Sequence, residues 1–110
     1  MEYPDRFEII RVSYRTDEAG DQIPAEEVVH AGWAKVLNLS GREYWEAFAV
    51  QQESTLKVHC RWAPALDGLD TRACRVRWRG RELDILSVDN IENRNELCTI
   101  KARERSNGGQ

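Results

Sequence analysis

The feature that most limits what this chain can fold into lies between Trp33 and Ala49, where a strand period gives way to a helical one within two residues. Trp33, Leu37 and Leu39 fall on one parity, the two-residue period of a half-buried strand. At Ser40 the period changes. The Ser40 hydroxyl is placed to accept from the Glu43 backbone N–H, and the Glu43 carboxylate to reach back to the Ser40 N–H. That is a capping box, with Leu39 and Tyr44 in the staple positions. Tyr44, Trp45, Phe48 and Ala49 follow at helical spacing, so the residues predict a helix from Gly41 to Gln52 whose apolar stripe packs on the core or on a neighbour.

Elsewhere the chain reads as strands. Arg6 to Tyr14 carries apolar residues on both faces, which predicts a strand buried at least in part. Thr16 to Ala25, with Asp17, Glu18, Gly20, Asp21 and Pro24, is rich in turn formers. Glu26 to Leu39 is a second strand with a bulge expected near Gly32. Leu56, Val58, Cys60 and Trp62 then alternate with Lys57, His59 and Arg61. After Pro64 and Asp67-Gly68, the same alternation returns with Cys74, Val76 and Trp78 against Arg75, Arg77 and Arg79. Arg79-Gly80-Arg81 reads as a hairpin turn, Glu82 to Val88 as a strand bulged at Ile85-Leu86, and Glu96 to Arg105 as the last strand. The fold class is mainly β: a small six-stranded antiparallel β-barrel or sandwich with one short helix inserted between the second and third strands. Residues 1–105 make one domain, and residues 106–110, with nothing to bury, are expected to be disordered.

The residues supply no reaction centre. Neither His30 nor His59 lies in a nucleophile context, the glycines form no phosphate loop or dinucleotide fingerprint, and Glu26-Glu27 point to opposite faces of a strand. No enzyme activity and no cofactor are therefore expected. The two histidines lack a thiol or carboxylate cluster at ligand spacing, which argues against a metal site. Cys60, Cys74 and Cys98 are odd in number, lack Cys-x-x-Cys spacing and sit in strand-like runs, so reduced, packed thiols are expected. The acidic start Met1-Glu2-Tyr3-Pro4-Asp5 is unlike a secretory leader and no apolar run nears a membrane span, which predicts synthesis in the cytoplasm and no membrane association.

Charge is unevenly spread: residues 1–53 carry −6 and residues 54–110 carry +3. Such asymmetry suits a subunit that meets its own copies head to tail. Lys57, His59 and Arg61 on one strand and Arg75, Arg77 and Arg79 on another would make a continuous basic face if those strands paired. One reading is a solvated outer face of a sheet whose inner face holds Trp62 and Trp78. The other is that Lys57, Arg61, Arg75, Arg77 and Arg79 contact DNA in a channel or an acidic neighbouring subunit. A sequence-specific DNA-binding domain fits poorly with an acidic chain that has no reading helix, and single-strand binding would want aromatics on the basic parity.

The run Trp33-Ala34-Lys35-Val36, leading into Ser40-Gly41-Arg42-Glu43-Tyr44 and an Ala/Gln-rich helix, resembles the head-tail adaptor (head-closure or joining) family of tailed bacteriophages. Leu56 to Trp62 is similar to that family's strand after the helix and Arg79 to Ile85 to its late hairpin, whereas Ala63 to Arg72 departs most. The resemblance implies a structural virion protein, a homo-oligomer in a ring of twelve copies, with portal or portal adaptor above and a tail protein below. Such a ring would close the DNA-filled head and touch packaged DNA without sequence preference. It also implies that the connection from Leu39 to Ser54 lies at channel or subunit contacts, which singles out Ser40, Gly41, Arg42, Glu43, Tyr44 and Trp45. In such a ring Arg75, Arg77 and Arg79 would either face the lumen or pair with acids of the next subunit, for which the loop of Asp17, Glu18 and Asp21 is the candidate. A tail-terminator or tail-completion ring protein is the nearest alternative, and a small β-barrel nucleic-acid-binding module the alternative from another class.

Overall fold

A computed structural model describes residues 2–50 and 54–105. The strands are β1 (Asp5–Thr16), β2 (Gln22–Asn38), β3 (Thr55–Arg61), β4 (Cys74–Trp78), β5 (Arg81–Asn90) and β6 (Leu97–Glu104). One helix, α1 (Gly41–Ala49), stands between β2 and β3. All neighbouring pairs are antiparallel, and the order β1-β2-β3-β6-β5-β4 closes on itself because β4 returns to β1. This is the mainly β architecture expected, in its barrel form. The helix expected to Gln52 ends at Ala49, with Val50 as its C-cap outside helical geometry, whereas Gln51, Gln52 and the expected disordered tail lie outside the described residues.

Register explains the core. Val36, Val58, Ile100 and Val88 are successive partners across β2, β3, β6 and β5, and so form one apolar row around the inside. On the other side Ile9 of β1 meets Val76 of β4, which meets Leu83 of β5, all fully buried. Each such side chain contributes roughly 1.5–3 kcal/mol by leaving water. Leu66, in a 3-10 turn at Pro64–Leu66, joins the same core from the loop between β3 and β4.

Several local expectations change. On β2 the inward parity belongs to Ala34 and Val36, and Trp33 is 56% exposed. The alternation was right and its direction reversed, because Ala34 pairs with the inward Cys60. The bulge of β2 falls at Val29, where the pairing steps from Ile9–His30 to Ile10–Val28. Gly32 itself is not the bulge: a Cβ there would meet His30 Nε2 at 3.4 Å and the Phe7 ring at 3.5 Å, ordinary van der Waals contact. The bulge at Ile85-Leu86 is present, with Leu86 the extra residue. Arg79 and Gly80 both have positive φ, the two-residue hairpin turn that suits the right-handed twist of its strands.

The loop expected over Thr16 to Ala25 is shorter. Ser13 to Thr16 and Gln22 to Ala25 pair with each other beyond the barrel wall and form a two-stranded arm. Pro24, which lacks an N–H, is tolerated there on a strand with a free edge. The tip closes through Asp17, whose Oδ1 accepts from the Asp21 N–H at 2.8 Å.

Candidate functional site

α1 sits on the barrel instead of in it. None of its residues is buried, and Trp45 and Phe48 are 66% and 52% exposed. Of the two placements expected for the apolar stripe, core or neighbour, the described chain does not use the first, and its rings pack on one another. Trp45 meets Tyr44 edge-on at 5.4 Å and Phe48 at 5.8 Å between centroids. A clustered apolar surface of this kind marks an interaction site.

The capping box is not formed. Ser40 makes no side-chain cap, and Gly41, in the left-handed region at φ 56°, turns the chain as the helix begins. The Glu43 carboxylate faces the barrel, where it accepts from Lys57 Nζ at 2.7 Å and lies 3.7 Å from Lys101 Nζ. Two ammonium groups outcompete a neutral backbone N–H for a carboxylate. The hydrogen bond from Lys57 holds the Glu43 carboxyl below its ordinary range. Arg42, on the outward side, pairs with Glu46 at 3.1 Å.

The basic residues do not form one face. β3 pairs with β2 and β6, and β4 with β1 and β5, so Lys57 and Arg61 stand across the barrel from Arg75, Arg77 and Arg79. The arginine row is also matched by acids. Arg75 donates to Glu82 at 3.0 Å, Arg77 to Glu26 at 2.8 Å and Glu82 at 3.4 Å, and Arg79 to Asp5 at 3.2 Å. Hydrogen bonding to Glu26 raises the Arg77 pKa above its ordinary value. Asp5, Glu26 and Glu43 are acids of the first half meeting bases of the second, so part of the charge asymmetry is satisfied within the chain. Asp17, Glu18 and Asp21 stand at the tip of the arm, away from these arginines along β1 and β2.

A second surface escaped the sequence reading. Tyr3, Phe7, His30, Trp33, Arg61 and Trp62 line a cleft of about 330 Å³ where β2 and β3 leave the barrel at the end opposite α1. The Arg6 guanidinium lies 5.7 Å from the Trp33 ring centre and that of Arg61 5.8 Å from Tyr3. The sequence signal was present in the four tryptophans, too many for a barrel this narrow to hold inside.

The chain is thus a small closed barrel that carries an exposed aromatic helix at one end and a projecting arm. The chain matches the phage head completion protein family over residues 2–105, and it belongs to that family. It is a structural protein of the phage head, and its place is the virion. Among solved structures, protein SF1141 from Shigella flexneri 2a is similar at 21% identity and a TM-score of 0.65, over 98% of this chain and 95% of that one. A chain of the virion of a native gene transfer agent particle is similar at 17% identity and a TM-score of 0.59, over 96% and 97%. No protein of curated function matches the chain in sequence.

Proposed function

We propose that this protein forms a ring at the portal vertex that closes the DNA-filled head and joins it to the tail. The observation that carries the reading is the aromatic helix: the barrel core is complete without α1, yet α1 presents Trp45 and Phe48 to solvent. Aromatic residues with this exposure are what a protein interface buries at its centre. The family's role in head completion and the fold shared with a chain of a gene transfer agent virion support the same reading. The work is done by shape and charge repeated by symmetry, without catalysis or a cofactor.

In this reading Ser40 to Trp45 meet a neighbouring subunit or the channel, and the Asp17, Glu18 and Asp21 tip reaches towards a basic surface of a portal, adaptor or tail protein. Contact with packaged DNA falls to Arg79, the most exposed member of its ion-paired row. The test is particle assembly without this protein. Heads that package DNA, then lose it and fail to bind tails, are expected, with DNA retention restored by adding the purified protein. Full, stable heads beside tails of uncontrolled length would overturn the reading in favour of a tail terminator.

A further inference from the structure

Building on ring assembly as its premise, we infer that the aromatic face of α1 docks into the cleft lined by Tyr3, Trp33 and Trp62 of a second copy of this chain. The two surfaces are complementary in kind. One is a convex cluster of Tyr44, Trp45 and Phe48, and the other a concave aromatic cleft of about 330 Å³. They cannot meet within one molecule. Ala34 pairs with Cys60 at the cleft end and Asn38 with Leu56 at the helix end, so the length of the β2–β3 pairing separates them. That is roughly 14 Å of strand.

Charge favours the same match. The cleft is rimmed by Arg6 and Arg61, neither of which makes an ion pair among the described residues. The helix offers Glu46 beside Trp45, held among the described residues by Arg42 alone, in a pair whose side chains are 69% and 92% exposed. A pair that open to water is worth little and can be exchanged for a new partner. Because a patch at one end meets a different patch at the other, the contact is heterologous. Repeated with a closing rotation it makes a ring, and without closure a filament.

Its strength can be bounded. Trp45 and Phe48 at their present exposure offer roughly 250 Å² together, well short of the roughly 800 Å² per partner of a standard stable interface. The isolated contact is therefore weak, and closure on a template of fixed symmetry is what makes it hold.

The experiment uses two single variants, Phe48→Cys and Trp33→Cys, assembled into particles separately and as an equal mixture, then treated with a short bis-maleimide. The native cysteines are buried and do not compete. Cross-linked dimers in the mixture, absent from either variant alone, are the expected result. Dimers from Phe48→Cys alone mean helix-to-helix packing between copies and overturn the inference. Particles that carry the protein in multiple copies, retain DNA and give no cross-link overturn it as well, while leaving ring assembly standing. Particles carrying a single copy sink both. As a second arm, Gly32→Leu fills the cleft from its floor, and at least a tenfold loss of incorporation into particles is expected with thermal unfolding of the free protein little changed. Wild-type incorporation of Gly32→Leu overturns the inference.

Discussion

Glu43 bridges the helix to the barrel: its carboxylate takes the Lys57 ammonium at 2.7 Å and leaves the Ser40 N–H uncapped. The residue that looks like half of a local cap is a tether between elements. Lys57 lies on β3 and pairs in register with Lys101 on β6, so the tether reaches two strands at once.

Glu43→Gln is accordingly expected to speed amide exchange over Gly41 to Ala49 several-fold while lowering barrel stability by less than about 1 kcal/mol, since the pair is partly exposed. Ser40→Ala, which a working cap would penalise by roughly 0.5–2 kcal/mol, should leave helix exchange unchanged. Hydrogen exchange followed by NMR separates the two. Equal protection in Glu43→Gln and wild type would show that α1 is held by other contacts.

Stability should fall on mild acidification through the two histidines. His59 Nδ1 lies 2.8 Å from Thr99 Oγ1, and burial, then the charges of Lys57 and Lys35, lower its pKa below the ordinary 6.5. His30 is lowered too, by burial and then by Arg6. The unfolded chain therefore binds protons that the folded one refuses, and stability present in full above pH 6.5 is lost as pH falls towards the folded values. Glu43 and Glu104 are lowered by Lys57 and Arg81 from an ordinary 4.5, so their contribution is lost only below that pH. Urea midpoints from pH 8 to 2 should show two descents, and a His30→Gln/His59→Gln variant should keep only the lower one. A variant with both descents intact would assign the upper one elsewhere.

How much of this was readable beforehand depended on whether a residue's neighbours were local. Alternation in Leu56 to Trp62 and Cys74 to Trp78 identified the strands because a pleat acts on consecutive residues. The Arg79-Gly80 turn was legible for the same reason. Pairing was not: β3 and β4 are close in sequence and share a basic parity, yet the barrel sets them on opposite walls. Trp33 shows a further limit. Its parity with Leu37 and Leu39 suggested the core, but which parity faces inward is decided by Cys60 across the strand pair. The aromatic helix was visible as a stripe, and only the closed barrel revealed that nothing in the described chain covers it.

The three cysteines should be silent in the native protein. Cys60 and Cys98 face each other across β3 and β6, and Cys74 is as deeply buried on β4. Burial of all three in the core denies a reagent access to the sulfurs. With a chromogenic disulfide reagent, no thiol is expected to react at pH 7.5 in buffer, and all three to react in urea. One fast thiol in buffer would reveal an opening of the barrel that the core packing does not suggest.

The arginine row gives the sharpest test of whether charge on this barrel serves the fold or a ligand. Arg75 is only 17% exposed along its side chain, donates to Glu82 and stands in register with Asp84. Arg75→Glu would set a carboxylate against two others in a partly dry place, at a cost between that of an exposed and a buried pair, on the order of 2 kcal/mol. Arg79→Glu, at the exposed hairpin turn, should cost much less, mainly its contacts with Asp5 and the Trp78 ring. Reversing the first pair, Arg75→Glu with Glu82→Arg, should recover only part of the loss, because the attraction is restored with the poles exchanged while the new arginine faces Arg77. Thermal unfolding of the four proteins reads this directly. Beside it, a salt-titrated DNA-binding measurement on the wild type should show no micromolar affinity at about 0.15 M salt, since a row already neutralised by Glu26, Glu82 and Asp5 releases few counterions. If Arg75→Glu unfolds like wild type while wild-type protein binds DNA with a steep salt dependence, the row is a cationic face and its acids are bystanders.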